Sequence, residues 1–139
     1  MKRILTLCLT FMLYLSVLAG CSLVTTEKTG NSTLQNTYEQ ITPEEAKYIM
    51  DNEDSYIILD VRTQDEYDAE HIKGAILIPD YEIETTAESI LTDKDALILV
   101  YCRSGRRSKN AASELSALGY TNVKEFGGII DWQYDTVTE

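Results

Sequence analysis

Residues Ile98–Ser108 read ILVYCRSGRRS: four apolar residues run straight into a cysteine, and three arginines follow within five positions. A run that is apolar at successive rather than alternate positions suits a strand covered on both faces, the condition of a central strand in a parallel sheet. From Arg107 to Leu118 helix formers dominate, with Ala111, Leu115 and Leu118 spaced to share one face. Cys102 therefore falls at the carboxyl end of a strand with a helix just beyond it, the place where open α/β sheets bind ligands.

Outward from this stretch, strand and helix signals alternate. Thr42-Pro43-Glu44-Glu45 combines an N-cap threonine, proline at the first helical position and a capping-box glutamate, predicting a helix to about Met50. Tyr56 to Leu59 reads as a short buried strand ending in Asp60, and Thr63-Gln64-Asp65-Glu66 as a second capping box that opens a short helix containing Tyr67. Ala75 to Ile78 predicts another strand, stopped by Pro79. Thr85 to Leu91 predicts a helix with Thr86 or its neighbour at the cap, and Ala96 to Tyr101 the central strand. Gly119 ends the following helix, Val123 to Phe126 forms a last strand, and a short helix lies around Ile130 to Tyr134. The pattern predicts a small three-layer α/β domain with a mostly parallel sheet, over residues 41–139.

The loop after Cys102 carries the chemistry. If Arg103 to Arg106 curl so that their amides point inward above a helix N-terminus, they form a nest for an anion. Gly105 supplies a conformation that a Cβ would resist. The same features favour thiolate over thiol, since helix N-termini and nearby cations lower a cysteine pKa from about 8.5 into roughly 3.5–7.5. A buried cysteine serving only as a small apolar group does not account for a polar, glycine-containing turn with three arginines.

The chain has 139 residues with 12 Lys+Arg against 23 Asp+Glu, enough for one domain and too acidic for nucleic acid to be expected as a general partner. Its cysteines are Cys8, Cys21 and Cys102, without a C-x-x-C pair, and its sole histidine is His71, so no zinc site and no metal is expected. Residues 1–21, MKRILTLCLTFMLYLSVLAGC, place Lys2 and Arg3 before 16 almost wholly apolar residues, fewer than the roughly 20 that span a bilayer. Leu18-Ala19-Gly20-Cys21 resembles the lipobox of bacterial lipoproteins, whose cysteine becomes the acylated first residue. That resemblance implies a signal peptide over 1–20, an extracytoplasmic protein anchored to a bacterial membrane by palmitate-type chains on Cys21, and a flexible polar tether over 21–40. Cleavage would leave 119 residues with 10 basic and 23 acidic side chains. Cys102 is then the only unmodified thiol, which rules out a disulfide within the chain.

Cys102-Arg103-Ser104-Gly105-Arg106-Arg107 resembles the active-site loop of single-domain rhodaneses, the thiosulfate or polysulfide sulfurtransferases. Further pieces of that family's pattern follow in order: Asp60-Val61-Arg62, Glu66-Tyr67, His71-Ile72-x-Gly74-Ala75, Ile78-Pro79, Gly119-Tyr120-x-Asn122-Val123, and Gly127-Gly128 with Trp132. The resemblance spans Ile41 to Tyr134 and implies a three-layer rhodanese-like fold. It also implies that Cys102 accepts a sulfane sulfur as a persulfide, cradled by the amides of Arg103 to Arg107, with no cofactor. Arg107 would border the pocket and orient a small anionic donor, while Arg106 would face outward and attract anions. The acceptor would be cyanide, sulfite or a thiol, including that of a redox or sulfur-carrier protein.

Within the same resemblance, Asp60 and Arg62 support the strand end beside the loop; Glu66, four residues beyond Arg62, is spaced to reach back to it as well as to cap its own helix. His71 is expected in a structural segment rather than as a base, and Trp132 as packing for the terminal helix. Tyr101 is left open between core and site. Glu70 stands where the family commonly has glycine, so that turn is expected to differ or to carry a small conformational cost. Two rival readings remain: a low-turnover sulfur-carrier or binding module, and a rhodanese-related phosphatase or arsenate reductase. The usual phosphatase loop sets its arginine one position beyond Arg107, where this chain has Ser108.

Overall fold

The computed structural model describes residues 38–138. The segment carrying the expected signal peptide, Cys21 and most of the tether lies outside the described residues, and among the described residues no helix is long and apolar enough to cross a membrane.

Among the described residues, seven strands and four α-helices follow one another as β1 (Glu39–Gln40), α1 (Pro43–Asn52), β2 (Ile57–Asp60), α2 (Gln64–Ala69), β3 (His71–Ile72), β4 (Ile76–Leu77), α3 (Ile83–Ile90), β5 (Ile98–Cys102), α4 (Arg106–Ala117), β6 (Val123–Gly128) and β7 (Thr136–Val137). Short 3-10 turns at Asp80–Glu82 and Ile129–Asp131 lead into α3 and out of β6. The main sheet has the order β1-β6-β5-β2-β4 with every neighbouring pair parallel, and β3 and β7 form a separate antiparallel ribbon.

The apolar run of β5 sits at the centre because both its faces are covered. Ile98, Val100 and Cys102 join the core formed with α3 and α4, through Ile83, Ala87, Ala111 and Leu115. Leu99 and Tyr101 point the other way, into a core with Ala46 of α1, Phe126 and Trp132. All five β5 residues are buried, and each fully buried aliphatic side chain contributes about 1.5–3 kcal/mol. This alternation decides Tyr101: it is a core residue, its ring 5.4 Å from Phe126 and its hydroxyl accepting from the Ile72 amide at 3.1 Å. Trp132 packs on Phe126, as expected, with ring centroids 5.6 Å apart.

Both capping boxes form. Thr42 and Glu45 exchange bonds of 3.1 and 2.8 Å at the start of α1, and Thr63 and Glu66 do the same at 3.4 and 3.1 Å at the start of α2. Several expectations are corrected. Helix α3 begins at Ile83, not Thr85, because the turn after Pro79 has already nucleated it; Thr86 caps nothing, and no side chain caps that end. The domain begins before Ile41, since Glu39 and Gln40 of the expected tether pair with Lys124 and Glu125 as an edge strand. Glu70 has φ −172° and ψ 134°, extended backbone open to any residue, so it carries no cost there. His71 is structural: it is buried, stacks on Tyr67 at 3.8 Å and faces the Tyr67 carbonyl through Nδ1 at 2.9 Å.

Candidate active site

The chain runs from β5 to β6 on one side and from β2 to β4 on the other, so the strand order reverses between β5 and β2. A crevice opens beyond the carboxyl ends of two parallel strands at such a switch point. Cys102 ends one of these strands and Asp60 the other, with helices α4 and α2 respectively on the way out.

Cys102 is 1% exposed, while Arg103, Ser104 and Arg106 around it are exposed. The chain turns back at Gly105, whose φ of 93° is the left-handed conformation expected there, and α4 begins at the next residue. Gly105 has no side chain to cap the helix. The sulfur takes that place: the Gly105 amide donates to Cys102 Sγ at 3.1 Å. Burial pushes the Cys102 thiol pKa up, and this is the largest single influence. The hydroxyl and amide of Ser108 with the amides of Ser104 and Gly105 together outweigh it, so the net pull is below the ordinary thiol value. Two of these amides belong to the expected run from Arg103 to Arg107; Ser108 is an addition. Its hydroxyl lies 2.6 Å from Glu125 Oε1, 3.1 Å from the Gly105 carbonyl and 3.2 Å from that of Gly127.

The far wall is β6. Its pairing with β5 slips by one residue between Val100 and Cys102, so that Cys102 faces Gly128. The slip presses the backbone of Gly128 onto the loop, where a Cβ would sit inside the Arg103 carbonyl and the Ser104 Cα. The Ile130 amide then donates to the Arg103 carbonyl at 3.2 Å. The Gly127-Gly128 pair thus clamps the loop from outside.

The arginines separate into different roles. Arg103 and Arg106 stand at the exposed rim. Arg107 does not point freely at a donor: its two terminal nitrogens bond the Glu66 carboxylate oxygens at 2.7 and 2.8 Å, across the crevice from α4 to α2. Its charge still acts on Cys102. Glu66 therefore reaches Arg107 and not Arg62. Arg62 is instead fastened to Asp60 through Nε and Nη2 at 2.6–3.0 Å, and its Nη2 also donates to the Glu70 carbonyl at 2.6 Å. Asp60 and Arg62 are both buried, so their pairing holds the end of β2 next to Tyr101 of β5 as a hydrogen-bonded unit. Among the described residues Cys102 is the one free cysteine, and no cluster of His, Cys, Asp and Glu suits a metal ion.

Hydrogen bonds from Arg107 hold the Glu66 carboxyl down at about 2, against the upward push of partial burial and with help from the Thr63 amide and the Arg107 charge. A carboxyl depressed on folding stabilises the fold above its unfolded pKa, and that contribution disappears as pH falls through the folded value. Replacing Glu66 with glutamine is accordingly expected to cost about 1 kcal/mol at neutral pH. In chemical denaturation the difference from the parent should shrink between about pH 4.3 and pH 2; a constant difference over that range would contradict the pairing.

A rhodanese-like domain model matches residues 42–135. Thiosulfate sulfurtransferase PspE of Escherichia coli is 41% identical over 73 residues, 52% of this chain and 70% of that protein. The putative sulfur carrier protein YrkF of Bacillus subtilis is 37% identical over 94 residues, 67% of this chain but half of its own length. A solved structure described as rhodanese with anions from E. coli superposes with a TM-score of 0.58 at 36% identity, covering 61% of this chain and all of that one. With the parallel sheet, the cysteine at the switch point and the amide loop closed over it, these likenesses show that the chain belongs to the rhodanese-like domain family.

Proposed function

We propose that the protein is a sulfurtransferase that takes the outer sulfur of thiosulfate or a polysulfide onto Cys102 and passes it to cyanide, sulfite or a thiol. The observation that carries this reading is the donation of the Gly105 amide to Sγ at the N-terminus of α4, in company with the Ser104 and Ser108 amides. In the first step the thiolate attacks the outer sulfur of the donor. A Cys102 S–S bond forms, the donor's S–S bond breaks with its electron pair on the leaving group, and sulfite or a shortened polysulfide departs. The acceptor then attacks the terminal sulfur and the Cys102 thiolate is regenerated. Neither step transfers a proton when the acceptor attacks as cyanide, sulfite or a thiolate, so the scheme needs no separate base and no cofactor. Both meet the same difficulty, an anion approaching an anion within an acidic protein. Amides aimed at the sulfur, the nearby Arg107 charge and the rim arginines Arg103 and Arg106 oppose that repulsion where the charge develops.

The helix start supports sulfur over phosphate. The loop from Cys102 to Arg107 is one residue shorter than the phosphatase pattern, and Ser108, in the first turn of α4, stands where that pattern has its arginine. The names of the relatives point the same way, one a thiosulfate sulfurtransferase and another a sulfur carrier. A carrier role uses the same persulfide and differs only in turnover. Incubation with thiosulfate should raise the intact mass by one sulfur, about 32 Da, reversibly with cyanide and not in Cys102→Ser. No mass gain in the folded parent would defeat the proposal, and a gain without repeated turnover would assign the carrier role.

The lipobox-like segment extends the proposal to location: an extracytoplasmic protein held at a bacterial membrane through lipid on Cys21. Expressed in a bacterial host, the parent should sediment with membranes and Cys21→Ser should move to the soluble fraction; equal membrane recovery of both would contradict it.

A further inference from the structure

A carboxylate lies beneath this anion-holding loop, which is an unexpected place for one. Glu125 sits on β6 opposite Val100, on the strand face that carries Val123 into the core, and is 2% exposed. It forms no ion pair among the described residues. Its Oε1 accepts from the Gly127 amide at 2.8 Å and from the Ser108 hydroxyl at 2.6 Å. That serine contact is the shortest of the three that the hydroxyl oxygen makes to protein acceptors. A hydroxyl has one proton, and Ser108 cannot give it to the carboxylate and to the sulfur at the same time.

We propose that Glu125 is a positioning residue for the nucleophile: it competes with Cys102 for the single Ser108 proton, and while the carboxylate holds that proton the sulfur has less of the hydroxyl donor that favours its anionic form. This deepens the reading of Cys102 as the nucleophile and rests on it. The loop amides and Glu125 then act in opposite senses on one sulfur, and the carboxylate sets how far below a free thiol the cysteine titrates. Such a setting leaves the resting thiol less open to oxidation, since the thiolate is the reactive form. The other charged groups around the sulfur are Arg107 of α4, with Glu66 of α2 and Asp80 of the turn before α3 acting on that arginine; Arg103 and Arg106 are at the rim. Each is unchanged in the comparison that follows.

The test is the pH dependence of Cys102 alkylation by iodoacetamide in the parent, Glu125→Gln, Glu125→Asp and Ser108→Ala, and in Glu125→Gln combined with Ser108→Ala. Thermal unfolding of each variant checks the fold. In Glu125→Gln the neutral carbonyl oxygen is a weaker acceptor for the Ser108 proton than the carboxylate, the hydroxyl is freed toward the sulfur, and the midpoint should fall by up to about one pH unit, the worth of one hydrogen bond to a charged group. In the Ser108→Ala background the same exchange should shift the midpoint by less than half as much. Glu125→Asp keeps the charge but withdraws it from Ser108, so its midpoint should also fall. This variant serves as the test should glutamine prevent folding. An unchanged or raised midpoint in Glu125→Gln, an equal shift without Ser108, or a parent-like Glu125→Asp would overturn the proposal, the last two because they describe a charge acting through space alone. Sulfur loading from thiosulfate, followed by mass on the same proteins, keeps the two readings apart. Shifted midpoints without loading would retain the positioning role and remove the sulfurtransferase; loading without shifts would do the reverse.

Discussion

The amide of Gly105 donating to Cys102 Sγ is where the fold and the chemistry meet. A helix N-terminus leaves donors without partners inside the helix, and an ordinary protein satisfies them with the side chain of a serine, threonine or aspartate. Helix α4 starts from a glycine and is closed by the sulfur of the preceding strand. The partial positive charge of the helix end is thus directed at that sulfur, where it favours the anionic form. Ionising that atom, or adding a second sulfur to it, strengthens bonds the fold has already arranged. The reverse dependence holds as well: the loop keeps its shape only if something at its centre accepts those donors.

Such a loop must be braced on both sides, and the strand order provides the means. Because β5 and β2 diverge in their connections, the helices leaving them flank one crevice, and the Arg107–Glu66 pair ties these helices together. On the opposite side the slip in β6 brings the Gly127-Gly128 backbone against the loop, and Ile130 bonds its outer carbonyl. Asp60 and Arg62 secure the neighbouring strand end. Charge is used locally throughout. A chain with far more acidic than basic residues keeps cations at the rim and in the brace, and one buried carboxylate, Glu125, beneath the Cys102 loop.

Much of this is visible in the residues themselves because its causes are local. The apolar run before Cys102, the glycine at the turn and the two capping boxes each act within a few positions, and the central strand, the helix behind it and the starts of α1 and α2 were readable from them. What escaped the sequence depends on distant partners or on very short segments. Arg107 and Glu66 are 41 positions apart and meet only because of the strand order, so Arg107 reads from sequence as a donor-binding group and Glu66 as a partner for Arg62. Strands β1, β3 and β7 have two residues each, too few for any periodicity, and those of β1 are exposed at the sheet edge. Thr86 reads as a cap because threonine favours that position, but a helix already begun by the turn after Pro79 needs none. From the sequence Ser108 reads only as the residue in the phosphatase arginine's place. Glu125 left one signal: on β6 it shares the inward face of Val123, where a solvated glutamate would not be placed.

The account stands on inward amides that hold an anionic sulfur, and the amide protons themselves give the most direct measurement. In a proton–nitrogen NMR titration of folded protein, the Ser104, Gly105 and Ser108 amides should move downfield together. They should follow one midpoint below the roughly 8.5 of a free cysteine, and that movement should be absent in Cys102→Ser. Amide signals indifferent to the ionisation of Cys102, or a midpoint at or above that of a free thiol, would contradict it.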